Sequence, residues 1–166
     1  MSNNEKLIKI YCCKKATDLC LHVSSFEMEE FVQNFDLSIP IVLLTSLDME
    51  SNVMGYHAYR QTWKPYIKEK LNAVMEPENI SDKYAVAVTR SEGGIVGHLP
   101  KGKSGRFAKT IFYFLRACSA NACDIEITGA PVNIGDGKGM KVPCKLTLSG
   151  EKIYIDRLDM ELAKLM

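Results

Sequence analysis

The chain has no long apolar run, no apolar leader, no dense cysteine framework and no marked excess of one charge. No stretch approaches the roughly 18 consecutive apolar residues that a membrane span needs. The polar start Met1-Ser2-Asn3-Asn4-Glu5 lacks the apolar core of a secretory signal. These absences lead to the expectation of a soluble, intracellular protein, nuclear or cytoplasmic, with no membrane partner. The six cysteines, Cys12, Cys13, Cys20, Cys118, Cys123 and Cys144, are scattered, which argues for reduced thiols rather than staples. Cys118 and Cys123 are separated by four intervening residues, at the loose end of zinc-pair spacing, but no second Cys/His pair follows at a matching interval. A helix-end thiol and a core-facing strand thiol are expected instead, and no metal. Internal repeats and low-complexity tracts are also missing.

What is present is an ordinary globular composition, 166 residues with 46% hydrophobic and 25% charged side chains, enough for one domain plus attachments. The overall net charge of +1 conceals an uneven spread: residues 1–51 carry a net of −4, residues 52–150 a net of +6 and residues 151–166 a net of −1. A basic middle is compatible with an anionic ligand such as nucleic acid.

Residues 1–51 read as an accessory segment. It comprises a strand over 7–11, a helix over 25–35 opened by a capping box of Ser24 and Glu27, and an apolar run over 39–44 broken by Pro40. From residue 53 the pattern changes to short β segments, with strands expected over 53–60, 71–75, 84–90, 94–99, 123–129 and 142–148. Ser91-Glu92-Gly93-Gly94 is a tight hairpin signal, and 123–128 and 144–148 alternate as strands with one wet face do. One helix interrupts them over 104–118. Phe107, Ile111, Phe114, Leu115 and Cys118 form its core stripe, and Arg106, Lys109, Tyr113 and Arg116 fall within about 80° on the other side. That basic face serves either as an ordinary solvated surface with snorkelling stems or as a set of phosphate contacts. Residues 151–166 form a tail with a helix over 157–165, whose Leu158, Leu162 and Leu165 pack back on the domain. The fold class is therefore mostly β with α: a barrel of about six strands with an inserted helix and a small α/β N-terminal segment.

Gly97-His98-Leu99-Pro100-Lys101-Gly102-Lys103-Ser104 matches the phosphate-loop pattern G-x-x-x-x-G-K-[ST] letter for letter. Such a loop needs a strand buried in a parallel sheet and, later in the chain, an Asp at the end of an apolar strand. Ile153-Tyr154-Ile155-Asp156 is short and near the C-terminus, the run 41–44 with Asp48 precedes the loop, and βαβ units are too few. Nucleotide binding through Lys103 and Ser104 thus stands as a lesser alternative. The histidines His22, His57 and His98 have no serine or cysteine elbow beside them. Glu76 and Asp82 flank a turn containing Pro77, which suits loop capping better than paired acid–base chemistry. No enzyme and no cofactor are expected.

Several blocks occur in order. Gly55-Tyr56-His57-Ala58-Tyr59 is followed by Trp63, then by Glu76-Pro77-Glu78-Asn79-Ile80-Ser81-Asp82-Lys83-Tyr84-Ala85-Val86-Ala87-Val88, then by Val96-Gly97-His98-Leu99-Pro100 and Val142-Pro143-Cys144. Together they resemble the HIRAN domain, in particular its short stand-alone versions, over residues 52–150. The resemblance implies an OB-like or SH3-like barrel that grips single-stranded DNA at a free 3′ end. It also implies nucleic-acid contacts from Tyr59, Asn79, Asp82, Arg106, Lys109 and Met140: Tyr59 stacking on a base, Asn79 and Asp82 bonding the terminal nucleotide and its hydroxyl, Arg106 and Lys109 neutralising phosphates, and Met140 standing where an aromatic supports the base. Each residue also has a plainer role available, Tyr59 in the core, Asn79 and Asp82 in Asx turns. The chain departs from the DNA-binding members at Ala58-Tyr59, where they show two adjacent aromatics, and at Ile80-Ser81, where they show Pro-Tyr. No helicase or nuclease segment accompanies the module within these residues, so any activity it guides is expected in another protein. A protein-interaction adaptor on the same barrel, contacting partners through the acidic N-terminal segment or the C-terminal helix, is the rival expectation. The sequence carries no signal of oligomeric state.

Overall fold

The computed structural model describes residues 8–11, 21–23, 42–102, 104–135 and 139–165. They fall into two compact units that divide between Thr45 and Ser46. In the first, β1 (Ile8–Tyr11) pairs antiparallel with β2 (Leu21–Val23), Ile8 opposite Val23, and Ile10 of β1 lies opposite Leu43 at the start of β3 (Val42–Met54). The helix expected over 25–35 lies outside the described residues.

The second unit is a barrel. Its strands are the later part of β3, β4 (Lys70–Met75), β5 (Val86–Thr89), β6 (Ile95–His98), β7 (Ala122–Ile127) and β9 (Met140–Glu151). They run in the order β3-β6-β5-β4-β7-β9, and a β3–β9 pairing closes the ring. A two-residue strand, β8 (Val132–Asn133), extends the sheet beyond β9. The expected six-stranded OB-like barrel with helices is what the chain forms. Period-two alternation dictates which side chains enter it. Along β9, Val142, Cys144, Leu146 and Leu148 are all 0% exposed. They face Ile127, Ile125 and Cys123 of β7 through the pairs Cys144–Ile127, Leu146–Ile125 and Leu148–Cys123. Each such aliphatic contributes about 1.5–3 kcal/mol by leaving water. The intervening residues are wet and charged: Glu126 stands opposite Lys145, and Asp48 receives Lys145 at 2.7 Å and the Thr147 hydroxyl at 2.8 Å. Pro143, which has no N–H to give, sits between the β7 and β8 pairings of β9, and its carbonyl accepts from Thr128 at 3.0 Å.

Three helices complete the unit: α1 (Tyr56–Tyr59), α2 (Phe107–Ala117) and α3 (Lys152–Ala163). Helix α1 replaces the last part of the strand expected over 53–60. Gly55 turns the chain at φ 82°, a left-handed conformation that ends β3 and opens the helix. Helix α2 starts later than expected, at Phe107, because Gly102 and Gly105 precede it at φ 73° and 69°. Of its anticipated stripe, Ile111 and Phe114 are buried and Phe107 and Leu115 partly so, while Cys118 lies past the helix end and bonds Glu151 at 3.3 Å. Helix α3 follows β9 without a loop, so Ile153-Tyr154-Ile155-Asp156 is helical, with Ile155, Leu158 and Leu162 buried. This overturns the phosphate-loop reading at both ends. Strand β6 pairs antiparallel with both of its neighbours, β3 and β5, and the candidate Asp156 is on a helix.

Gly97 of β6 is a tight point of the barrel wall. A Cβ there would lie 2.4 Å from Val53 Cγ1 and 2.6 Å from the Met54 carbonyl oxygen. Gly97→Ala is expected to lower unfolding stability by about 1–3 kcal/mol through overpacking, measured by urea denaturation. An unchanged midpoint would mean that this wall is not close-packed.

Candidate functional site

The rim between β4 and β6 is organised by one carboxylate. Glu76, the first residue after β4, accepts the Asn79 amide at 2.8 Å and lies 2.7 Å from His98 Nε2 on β6. Asn79 Oδ1 in turn accepts the backbone N–H groups of Ser81 and Asp82, each at 3.0 Å, as an Asx turn does. Asp82 Oδ1 accepts the Tyr84 N–H at 3.0 Å, and its Oδ2 pairs with Lys101 Nζ at 3.1 Å. The connection closes where the Glu76 N–H donates to Ala85 at 3.0 Å. The result is a rigid loop whose tip, Ile80, stands fully in solvent.

Tyr59 reaches the same rim from α1. Trp63, only 2% exposed, holds that short helix: its N–H bonds the Tyr59 carbonyl at 2.8 Å, and Tyr56 packs edge-on against its ring at 5.6 Å. The indole N–H is satisfied by the buried Glu69 carboxylate at 3.1 Å. So anchored, the half-buried Tyr59 sets its ring 6.5 Å from that of His98, tilted by 49°. On the other side of α1, Gly139 lies so close to His57 that a Cβ would be 2.6 Å from Nδ1. Met140 follows it, half-buried at the start of β9 opposite Asn133.

The basic face of α2 joins the loop through Tyr84. Lys109 Nζ lies 4.5 Å from the Tyr84 ring centroid and 6.0 Å from that of Tyr113, Lys83 covers Tyr84 at 5.1 Å, and the two tyrosine rings are 5.5 Å apart. Lys109 is thus seated on aromatic faces rather than free in solvent. Arg106 is exposed at the N-cap position of α2, beside Phe107, whose N–H donates to the Lys101 carbonyl at 3.0 Å. Of the expected site residues, then, hydrogen bonds and ring contacts link Asn79 to Asp82 within the loop. Lys109 reaches that loop through Tyr84, Tyr59 faces its His98 anchor, and Arg106 and Met140 border the rim. Glu76, His98 and Lys101 are partners that the sequence reading treated as structural or as part of the apparent phosphate loop. The spacing Glu76-x-x-Asn79-x-x-Asp82 was the available clue.

The electrostatics are those of an acceptor beside cations. The Tyr84 backbone N–H, followed by Lys101, holds the Asp82 carboxyl below the ordinary carboxylate range against the opposing effect of burial. For Glu76, burial is the largest single influence and works upward, yet the hydrogen bonds from Asn79 and His98 together outweigh it and leave its pKa lowered. Both groups are anionic acceptors near neutrality. Among the described residues no cluster of three His, Cys, Asp or Glu side chains is arranged to hold a metal ion, and no helix is long and apolar enough to cross a membrane.

No protein-family model and no curated protein matches the sequence. Solved structures do match. The crystal structure of the HIRAN domain of human HLTF superposes with a TM-score of 0.55 at 21% identity, covering 72% of this chain and 91% of that one. The barrel has the HIRAN fold. An NMR structure of the HLTF HIRAN domain in its DNA-bound conformation gives a TM-score of 0.51 at 22% identity, with 70% and 86% covered. A further NMR structure of that HIRAN domain gives 0.51 at 20%, with 71% and 87% covered. In this HIRAN-like barrel His98 of β6 meets Glu76 at the start of the β4–β5 loop and Tyr59 of α1.

Because the folded-state pKa of Asp82 is depressed, its contribution to stability is present above the ordinary carboxylate range and is lost as pH falls through the folded value, from about pH 5 downward. Asp82→Asn should therefore narrow the difference in melting temperature between about pH 7 and pH 3 relative to the parent protein. Identical acid sensitivity of the two proteins, followed by circular dichroism, would remove Asp82 from the loop's electrostatics.

Proposed function

We propose that this protein is a non-catalytic nucleic-acid-binding module that holds a single DNA strand at a free 3′ hydroxyl. The observation that carries the reading is the Asp82 carboxylate, fixed beside Lys101 at the foot of a rigid loop on a HIRAN-like barrel. A lowered-pKa carboxylate only accepts hydrogen bonds, so it favours a hydroxyl donor and repels a terminal phosphate. An internal nucleotide has no such hydroxyl, because its 3′ oxygen is esterified. On this reading Tyr59 and His98, tilted together, offer a face for the terminal base, and Lys101 and Arg106 neutralise backbone phosphates of the same strand. Asn79 acts chiefly by holding the loop in register, and Met140 borders the base site from β9. The DNA-bound state of one structural neighbour supports the ligand class.

A non-catalytic role fits the same geometry. Both carboxylates are engaged in loop hydrogen bonds with Asn79, His98, Tyr84 and Lys101 rather than aimed at a shared reacting atom.

Fluorescence polarisation with labelled single strands tests the proposal. A free 3′ hydroxyl should bind roughly 10-fold or more tighter than a 3′ phosphate, in line with the 1.5–3 kcal/mol of a charge-assisted hydrogen bond. Asp82→Asn should erase that preference. Tyr59→Ala should weaken binding of the free end by about 1–3 kcal/mol, the usual worth of one base–aromatic stack. Equal affinity for both ends would sink end recognition.

A further inference from the structure

Helices α2 and α3 leave a groove between them that the end site does not use. It is a cavity of about 520 Å³ whose lining includes Tyr113, Phe114 and Arg116 from α2 and Tyr154, Arg157 and Glu161 from α3. That size lies within the range of built ligand sites. Phe114 is 4% exposed and forms part of an apolar floor, while Tyr113 is 45% exposed and presents its ring to solvent. Arg116 and Arg157 are both exposed, and among the described residues neither forms an ion pair with a carboxylate. The one acid in the lining, Glu161, is already paired with Lys164 at 2.7 Å. The groove therefore offers two exposed guanidinium groups, of which Arg157 also helps to lower the pKa of Glu161, two aromatic rings and an apolar floor. That combination suits a flat aromatic group attached to an anionic backbone.

The groove is continuous with the rim described above. Tyr113, which lines it, stands 5.5 Å from Tyr84, and Lys109 touches both rings. The Tyr84 N–H is itself bonded to Asp82. A row of basic and aromatic groups thus runs from the Asp82 loop along the exposed face of α2 into the groove.

We infer that the α2–α3 groove is a second subsite for the same single strand, taking an internal base between Tyr113 and Tyr154 while Arg116 and Arg157 neutralise the adjoining phosphates. This inference rests on the proposed function, since it supplies the path of the strand away from its held 3′ end. A duplex does not fit it, because a stacked and paired base cannot turn into a cleft between two helices. Arginine suits the role, for its planar fork meets phosphate in a bidentate manner and keeps its charge at any working pH.

The test uses the full chain, labelled single strands of about three and about ten nucleotides, each with a 3′ hydroxyl or a 3′ phosphate, at two salt concentrations. The double variant Arg116→Gln/Arg157→Gln changes only exposed side chains, and its melting temperature is compared with that of the parent. The parent should bind the longer strand at least about 10-fold tighter than the shorter one, a gain of about 1.4 kcal/mol. The double variant should bind the short strand as the parent does, lose most of the gain with length, and show a salt slope smaller by about 1.4, near 0.7 per phosphate contact. Loss of Asp82 or of the free hydroxyl should weaken both lengths yet leave the gain with length in place. If the variant keeps the full gain and slope, the groove inference is overturned while end recognition stands. If neither strand binds the parent, the proposed function fails with it. An acidic, tyrosine-containing peptide serves as a competitor: an Arg-dependent affinity for the peptide, with no gain for the longer strand, would overturn the nucleic-acid occupant in favour of an acidic protein segment.

Discussion

The carboxylate of Glu76 fixes the rim between β4 and β6. It stands at the end of β4, accepts the amide of Asn79 in the following loop and meets His98 on β6, which is two strands away in the sheet order. Without that link the connection from β4 to β5 would keep its internal turn bonds and the Asp82–Lys101 pair but lose its tie to β6. With it, the turn that Asn79 caps is tied to β6 and presents Asp82 to Lys101 from the segment that follows β6. A second carboxylate, this one buried, does similar work nearby. Glu69 takes the indole N–H of Trp63, and Trp63 carries α1 and with it Tyr59. Polar groups removed from water in this way need their partners, since leaving one unmet costs about 1–3 kcal/mol.

The barrel supplies rigidity and the connections supply chemistry. Its interior is a dry stack of aliphatic side chains from β7 and β9 packed against β4, β5 and α2. The charged side chains of the site belong to the β4–β5 loop, the segment after β6 and the exposed face of α2. This division is common where a fixed scaffold carries binding loops. It also explains why a phosphate-loop pattern can occur here with no phosphate-loop structure. Gly97 is glycine because Val53 and Met54 press against it, and Gly102 and Gly105 turn the chain toward α2. The same letters arise from barrel packing and helix entry, not from a cradle for a triphosphate.

Much of this was legible from the amino-acid pattern, for identifiable reasons. Clean alternation placed β7 and β9, and the i, i+4, i+7 recurrence of Phe107, Ile111 and Phe114 placed α2. Alternation failed at residues 56–59, where aromatic and small residues read as a strand continuation but a left-handed Gly55 turned them into a helix. It also missed β8, two residues long, and the direct passage from β9 into α3, where Ile153 and Ile155 look strand-like yet Ile155, Leu158 and Leu162 lie on one helical face. Of the candidate site, Tyr59, Asn79 and Asp82 could be named from the sequence because they lie in compact blocks of residues. The partnership of Glu76 with His98 spans 22 residues and exists only once β4 and β6 are folded into one wall. The α2–α3 groove is less legible still, because Arg116 and Arg157 become neighbours only through helix packing.

On the proposed reading, a strand end is received where the β4–β5 loop, α1 and β6 meet. Backbone amide chemical shifts, followed by NMR while a short single strand with a free 3′ hydroxyl is added, test it most directly. The largest changes are expected at Tyr59, at Ser81 to Tyr84 and at His98 to Lys101, with a smaller set along the exposed face of α2. Changes confined to β8 and the charged outer face of β7 and β9, or no changes with the strand in large excess, would contradict it.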